Sequence, residues 1–190
     1  MPIDVLQIAR QDDSAWRVIA EFCDMNVRRR TEPWFRLSSD RPFTVFATDS
    51  TGGTFAQVAG TPPEASVFYV SSEGQAGFIA ADVQSLFELL VAMPYWAECL
   101  KYSSNGDIVE ARKAAGYLEK MLRRKFPDAE QRRAYVRNLL ALRAPESPLD
   151  ELWSCLKVPD RILSETDGWA NEALFGTWSS DVVAKWGEGT

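Results

Sequence analysis

Between residues 43 and 80 the chain carries four short runs of β-branched and aromatic residues, at 43–48, 54–59, 67–71 and 76–80, each separated from the next by turn-forming residues. No other feature constrains the fold as tightly. Val, Thr, Phe and Tyr suit a pleated, half-buried surface. Connections this short join neighbouring strands antiparallel, because a parallel pair needs a crossover of a dozen residues or more. Asp49-Ser50-Thr51-Gly52-Gly53 closes one hairpin, Gly60-Thr61-Pro62-Pro63 breaks the chain, and Ser72-Glu73-Gly74-Gln75 closes another. Val67-Phe68-Tyr69-Val70-Ser71 is apolar enough for a central strand. The expected fold class is α+β, an antiparallel sheet of four or more strands with helices packed on it.

Helical periodicity frames this sheet. Trp16, Ile19, Ala20 and Cys23 recur at i, i+3, i+4 and i+7 after the capping candidates Asp12, Asp13 and Ser14, and this helix is expected to end near Arg28-Arg29-Arg30 before Pro33. Asp82 caps a second pattern of Val83, Leu86, Phe87, Leu90 and Val91. Pro94 opens a short helix to about Lys101, Asn105-Gly106 turns the chain, and a longer helix runs from Ile108 to a basic end at Lys125. Asp128-Ala129-Glu130-Gln131 reads as a capping box, and Ser147-Pro148 starts a further helix. The tail carries Trp169, Phe175, Trp178 and Trp186, with a short helix from Asp181 and a frayed end after residue 187. Composition shifts near residue 105. Residues 1–190 are read as one domain, a sheet-containing core at 1–104 followed by a helical C-terminal part at 105–190.

The 190 residues include no histidine. That removes Ser-His-Asp and Cys-His arrangements, His-based metal motifs and a His general base, and leaves lysine or carboxylate chemistry open. A formal net charge of −6 argues against nucleic acid and against an anionic membrane surface as partner; it is compatible with a basic protein partner, though ordinary solubility alone accounts for such a charge. Cys23, Cys99 and Cys155 are widely spaced and odd in number, the pattern of buried free thiols in a reducing compartment. No signal peptide precedes the first helix and no stretch reaches the ~18 apolar residues of a membrane span, so a cytoplasmic location is expected. Oligomeric state is not encoded in any of these features.

Several segments invite a chemical reading. Asp49-Ser50-Thr51-Gly52 approaches the Asp-Thr/Ser-Gly loop of aspartic proteases, with one residue inserted. A turn in which Asp49 bonds its own backbone is the simpler account. Gly52-Gly53 lacks a following Gly-Lys-Ser/Thr, so neither a phosphate cradle nor a cofactor is implied. Asp49 and Glu73 occupy two turns. At one end of the sheet they would form an acidic edge, short of the oxygens that a metal site needs. Arg28-Arg29-Arg30 and Arg132-Arg133 read as helix-end and solvated charges. Tryptophans most often mean core, but Trp96, between Tyr95 and Ala97 and two residues before Glu98, is a candidate for a partly exposed aromatic anchor instead. The expected partner-binding set is Asp49, Thr51, Glu73, Trp96 and Glu98, with no catalytic and no metal-binding residue.

The run Phe46-Ala47-Thr48-Asp49-Ser50-Thr51-Gly52-Gly53-Thr54-Phe55-Ala56, its sequel Val67-Phe68-Tyr69-Val70-Ser71-Ser72-Glu73-Gly74, and then Val83, Leu86, Phe87 and Leu90 resemble the SUKH superfamily. The shared features are an acidic residue with glycines between two core strands, then a strand, a turn and a helix rich in Leu and Phe. The likeness spans residues 43–100 and lacks the family's usual Leu-Pro dipeptide and Asn-Gly pair ahead of the first core strand. It implies an α+β fold and a non-enzymatic role. Many bacterial members are immunity proteins that neutralise a cognate toxin, often a nuclease, and others are proposed scaffolds. A scaffold or regulatory module is therefore the alternative expectation, and a carboxylate- or metal-dependent enzyme the third.

Overall fold

A computed structural model describes residues 4–59, 66–165 and 168–188. In chain order the elements are α1 (Val5–Gln11), α2 (Asp13–Phe22), β1 (Phe35–Leu37), β2 (Phe43–Thr48), β3 (Thr54–Val58), β4 (Val67–Val70), β5 (Gln75–Ala80), α3 (Val83–Ala92), α4 (Trp96–Lys101), α5 (Ile108–Lys125), α6 (Ala129–Leu140), α7 (Pro148–Cys155), β6 (Ile162–Ser164), β7 (Glu172–Ala173) and α8 (Ser180–Glu188). The four runs found in the sequence are β2 to β5, and they pair antiparallel in the order of the chain. β7 adds to the outer edge of β5 in parallel, giving a five-stranded sheet ordered β2-β3-β4-β5-β7. The class is α+β, as the sequence indicates.

Both faces of this sheet are covered. Phe46, Phe55, Tyr69 and Ile79 point into the helical layer, in an apolar cluster whose buried members run from Val5 to Val183. Val45, Ala56, Phe68, Val70 and Phe78 point the other way, against an antiparallel ribbon of β1 and β6. Phe35 of that ribbon stacks on Phe43 at 5.4 Å and meets the edge of Phe68 at 5.8 Å. Double coverage explains why β4 is apolar at every position, since a strand buried on both faces shows no alternation.

Four aspartates start helices by accepting a first-turn N–H: Asp4 from Gln7 at 3.0 Å, Asp12 from Ala15 at 2.7 Å, Asp82 from Ser85 at 2.7 Å and Asp107 from Val109 at 2.8 Å. Elsewhere the sequence expectations need correction. The first expected helix ends at Phe22 rather than near Arg28-Arg29-Arg30, because Asp24 turns the chain with φ +48°, and the separate α1 precedes it. Arg28 instead reaches back to Asp13 at 2.6 Å and lies over the ring of Trp16. The capping box at Asp128 does not form; its carboxylate accepts from Arg132 at 3.0 Å. The C-terminal part is not purely helical, since β6 and β7 return to the sheet region. The Gly60-Thr61-Pro62-Pro63 break and the last two residues of the expected frayed end lie outside the described residues. All three cysteines are free and buried, and no helix among the described residues is long and apolar enough to cross a membrane.

One polar cluster locks the helical layer. The side chain of Arg133, buried on α6, donates to the carbonyls of Val91 and Ala92 at the end of α3, to Glu119 on α5 at 2.7 and 2.9 Å, and to Glu130 at 2.9 Å. Glu119 also accepts from Tyr95 at 2.9 Å and Arg123 at 2.7 Å. Burial works against the Glu119 carboxylate, but the bonds from Arg133, Arg123 and Tyr95 outweigh it and draw its pKa down to about 2.

Candidate functional site

The β2–β3 hairpin turn is built around Asp49. Its Oδ1 accepts the backbone N–H of Thr51 at 2.9 Å and of Gly53 at 2.7 Å, and the Thr51 hydroxyl at 2.8 Å. Its Oδ2 accepts the Tyr69 hydroxyl at 2.5 Å. This is the side-chain turn expected of Asp in such a loop, tied across to the central strand. Gly53 permits it: a Cβ there would collide with both the Tyr69 hydroxyl and the Asp49 carboxylate. Burial, and then the Asp49 bond, hold the Tyr69 hydroxyl protonated well above the usual phenol range. Asp24 accepts from the backbone N–H and hydroxyl of Ser50 in the same turn at 3.1 and 3.0 Å. Burial raises the pKa of Asp24, bonds from Ser50 oppose that, and the nearby Asp49 adds to it.

Tyr69 meets the edge of Trp96 at 5.2 Å, and Trp96 is only 4% exposed. The expectation of a partly exposed anchor at Trp96 is therefore corrected. Its indole turns inward from the start of α4 because Tyr69 and the core offer it apolar contact there. Tyr69 and Trp96 line a cleft of about 530 Å³. Around them stand Thr51 from the first turn, Glu73 and its neighbours from the β4–β5 turn, Glu98 and Lys101 from α4, and the tail segment Glu172 to Trp178. Four of the five residues expected from the sequence, Thr51, Glu73, Trp96 and Glu98, thus line one cavity. Asp49 lies one hydrogen bond behind its wall.

Sequence reasoning missed the tail wall. It is pinned to the sheet edge by the Glu172 N–H, which donates to the Gly74 carbonyl at 3.1 Å. It is pinned to the end of α4 by the Gly176 N–H on the Leu100 carbonyl at 3.0 Å, the Asn105 N–H on the Gly176 carbonyl at 2.8 Å, and the Ser104 N–H on the Trp178 carbonyl at 2.9 Å. At Gly176 a side chain would run into the backbone of Lys101, so only glycine lets the two segments touch. The aromatic richness of residues 169–186 was the one signal available, and it carries no information about where the tail docks.

The cleft is acidic. Glu73, Glu98 and Glu172 line it, Lys101 is its one lining cation, and none of the three carboxylates has an ion-pair partner among the described residues. Glu98 is exposed. Partial desolvation still pushes its pKa above the usual carboxylate range, with its own backbone N–H opposing, Asp24 adding, and Lys101 and Lys125 opposing. Trp178 is 56% exposed on the same cleft, a large apolar face left in water beside unpaired negative charge. Such a site offers carboxylates, hydroxyls and an aromatic face to a ligand. Among the described residues no group of three or more Cys, Asp or Glu side chains is arranged to hold a metal ion. Comparison with protein-family models, curated proteins and solved structures finds no match for the chain.

Proposed function

We propose that this chain is a non-enzymatic, cytoplasmic protein-binding domain of the immunity type, which neutralises a bacterial toxin by engaging a basic surface of the toxin domain. The observation that carries the reading is the convergence of Thr51, Glu73, Trp96 and Glu98 on one cleft with unpaired negative charge. The net charge of −6 and the resemblance of residues 43–100 to the SUKH superfamily point the same way. Asp49, the acid that most resembled a catalytic group, spends both oxygens on the turn and on Tyr69, which favours binding over turnover. Opposite charge across such an interface acts mainly on encounter rate.

The test is stopped-flow association of the full chain with a basic toxin domain encoded in its gene neighbourhood. The Glu73→Lys/Glu98→Lys double variant should melt like the wild type and associate roughly tenfold or more slowly at low salt. Absence of binding, or an association rate indifferent to both salt and the double reversal, would remove the cleft from the interface.

A further inference from the structure

Three properties of the cleft coincide. It has exposed carboxylates without ion-pair partners among the described residues, Glu98 on α4 and Glu172 on the tail. It has the indole of Trp178, held at the surface by a backbone that is itself fixed through the Ser104 N–H and the close approach at Gly176. It has room well beyond one side chain, at about 530 Å³, with Ser72, Thr177 and Thr51, whose hydroxyl donates to Asp49, in its lining. An exposed aromatic face attracts a cation through its quadrupole, and the attraction grows where water is partly excluded. Guanidinium suits this better than ammonium, because its plane stacks on an indole while its edge donates to a carboxylate, and it is less strongly hydrated. Lys101, the cleft's own cation, lies 5.9 Å from the centre of the Tyr102 ring and makes no ion pair with the three glutamates.

We infer that the cleft takes one arginine side chain from an extended segment of the protein partner, its guanidinium between the Trp178 indole and the Glu98 and Glu172 carboxylates, its flanking backbone along Ser72 and Thr177. This rests on the proposed binding role and names the element of the partner that is recognised. The excess of three carboxylates over one lysine supplies the charge complementarity. Trp178 supplies the preference for a flat cation over a compact one.

The experiment is a titration of the ¹⁵N-labelled full chain with acetyl-Gly-Arg-Gly-amide, read at the indole N–H resonances of Trp178 and of Trp96 on the cleft lining. The Trp178 signal is identified by its loss in Trp178→Phe. A saturable shift of both indoles is expected with the arginine peptide, a weaker one with the lysine peptide, and none with the citrulline peptide, which keeps the shape and loses the charge. Read at Trp96, Trp178→Ala and Glu98→Gln should each weaken binding roughly fivefold or more. If charge reversal at Glu73 and Glu98 still slows toxin-domain association but Trp178→Ala leaves the peptide affinity unchanged, the arginine assignment falls and the acidic-cleft reading stands. If neither the peptides nor the toxin domain bind, both fall. Spermine competing as strongly as the peptide would overturn the assignment to a protein segment.

Discussion

Substituting Glu119 with Gln removes the charge that balances Arg133 and leaves the shape of the cluster almost unchanged. Arg133 is 5% exposed and cannot recover its hydration, while Glu130, its other carboxylate partner, stands largely in water and compensates poorly. The pKa of Glu119 falls from 4.5 to about 2 on folding. A group depressed in this way contributes stability that is fully present above its unfolded pKa and is lost as pH falls towards its folded one. A depression of that size corresponds to about 3 kcal/mol at neutral pH, shrinking to roughly 1.5 kcal/mol at pH 3, where the carboxyl is almost fully protonated in the unfolded chain but still mostly ionised in the folded one. Urea denaturation of both proteins at pH 7 and pH 3 isolates this contribution, because every other titrating group is common to the pair. Glu119→Gln should be less stable by about 2–3 kcal/mol at pH 7, with the gap roughly halved at pH 3. A gap under about 1 kcal/mol at pH 7, or one equal at the two pH values, would refute the view that this ion pair locks α3, α5 and α6 together.

The remaining expectations concern the turn and the thiols. Gly53→Ala should lower stability by about 2 kcal/mol by prising Tyr69 from Asp49, with a smaller loss in Tyr69→Phe, both measured by thermal denaturation. Burial lifts the Cys23 thiol to about 12 and the Cys155 thiol to about 11, and raises Cys99 as well. Reaction with a thiol reagent at pH 8 should therefore be negligible in the native protein and count all three cysteines in denaturant. Rapid labelling of Cys23 or Cys99 without denaturant would show that the helical layer opens locally.

The strands between Phe43 and Ala80 were legible because what specifies them is local: a run of β-branched and aromatic residues, a turn with Asp49 or Gly74 in it, and another run. β6 and β7 were not, since three and two residues are too few to show a period and both exist only by pairing with distant strands. Asp82 and Asp128 look alike before a helix, yet one caps and the other pairs with Arg132, a choice made by a side chain rather than by the helix signal. Turn chemistry likewise pointed to the Thr51 and Glu73 side of the cleft. The depth of Trp96 and the tail wall depend on Tyr69 and on the end of α4 meeting partners far along the chain, which no local pattern encodes.

That dependence has a consequence for the order in which the protein becomes competent during synthesis. The turns at Asp49 and Glu73 and helix α4 leave the ribosome early, but Glu172 to Trp178 emerge some seventy residues after α4. Until then the outer edge of β5 has no β7 on it, and the acidic cleft lacks one side and its exposed indole. At a synthesis rate of roughly 5–20 residues per second, several seconds separate the emergence of α4 from that of the tail wall. On the proposed role, recognition would be the last property the chain acquires, because a product truncated ahead of Glu172 lacks the tail wall of the cleft and Trp178.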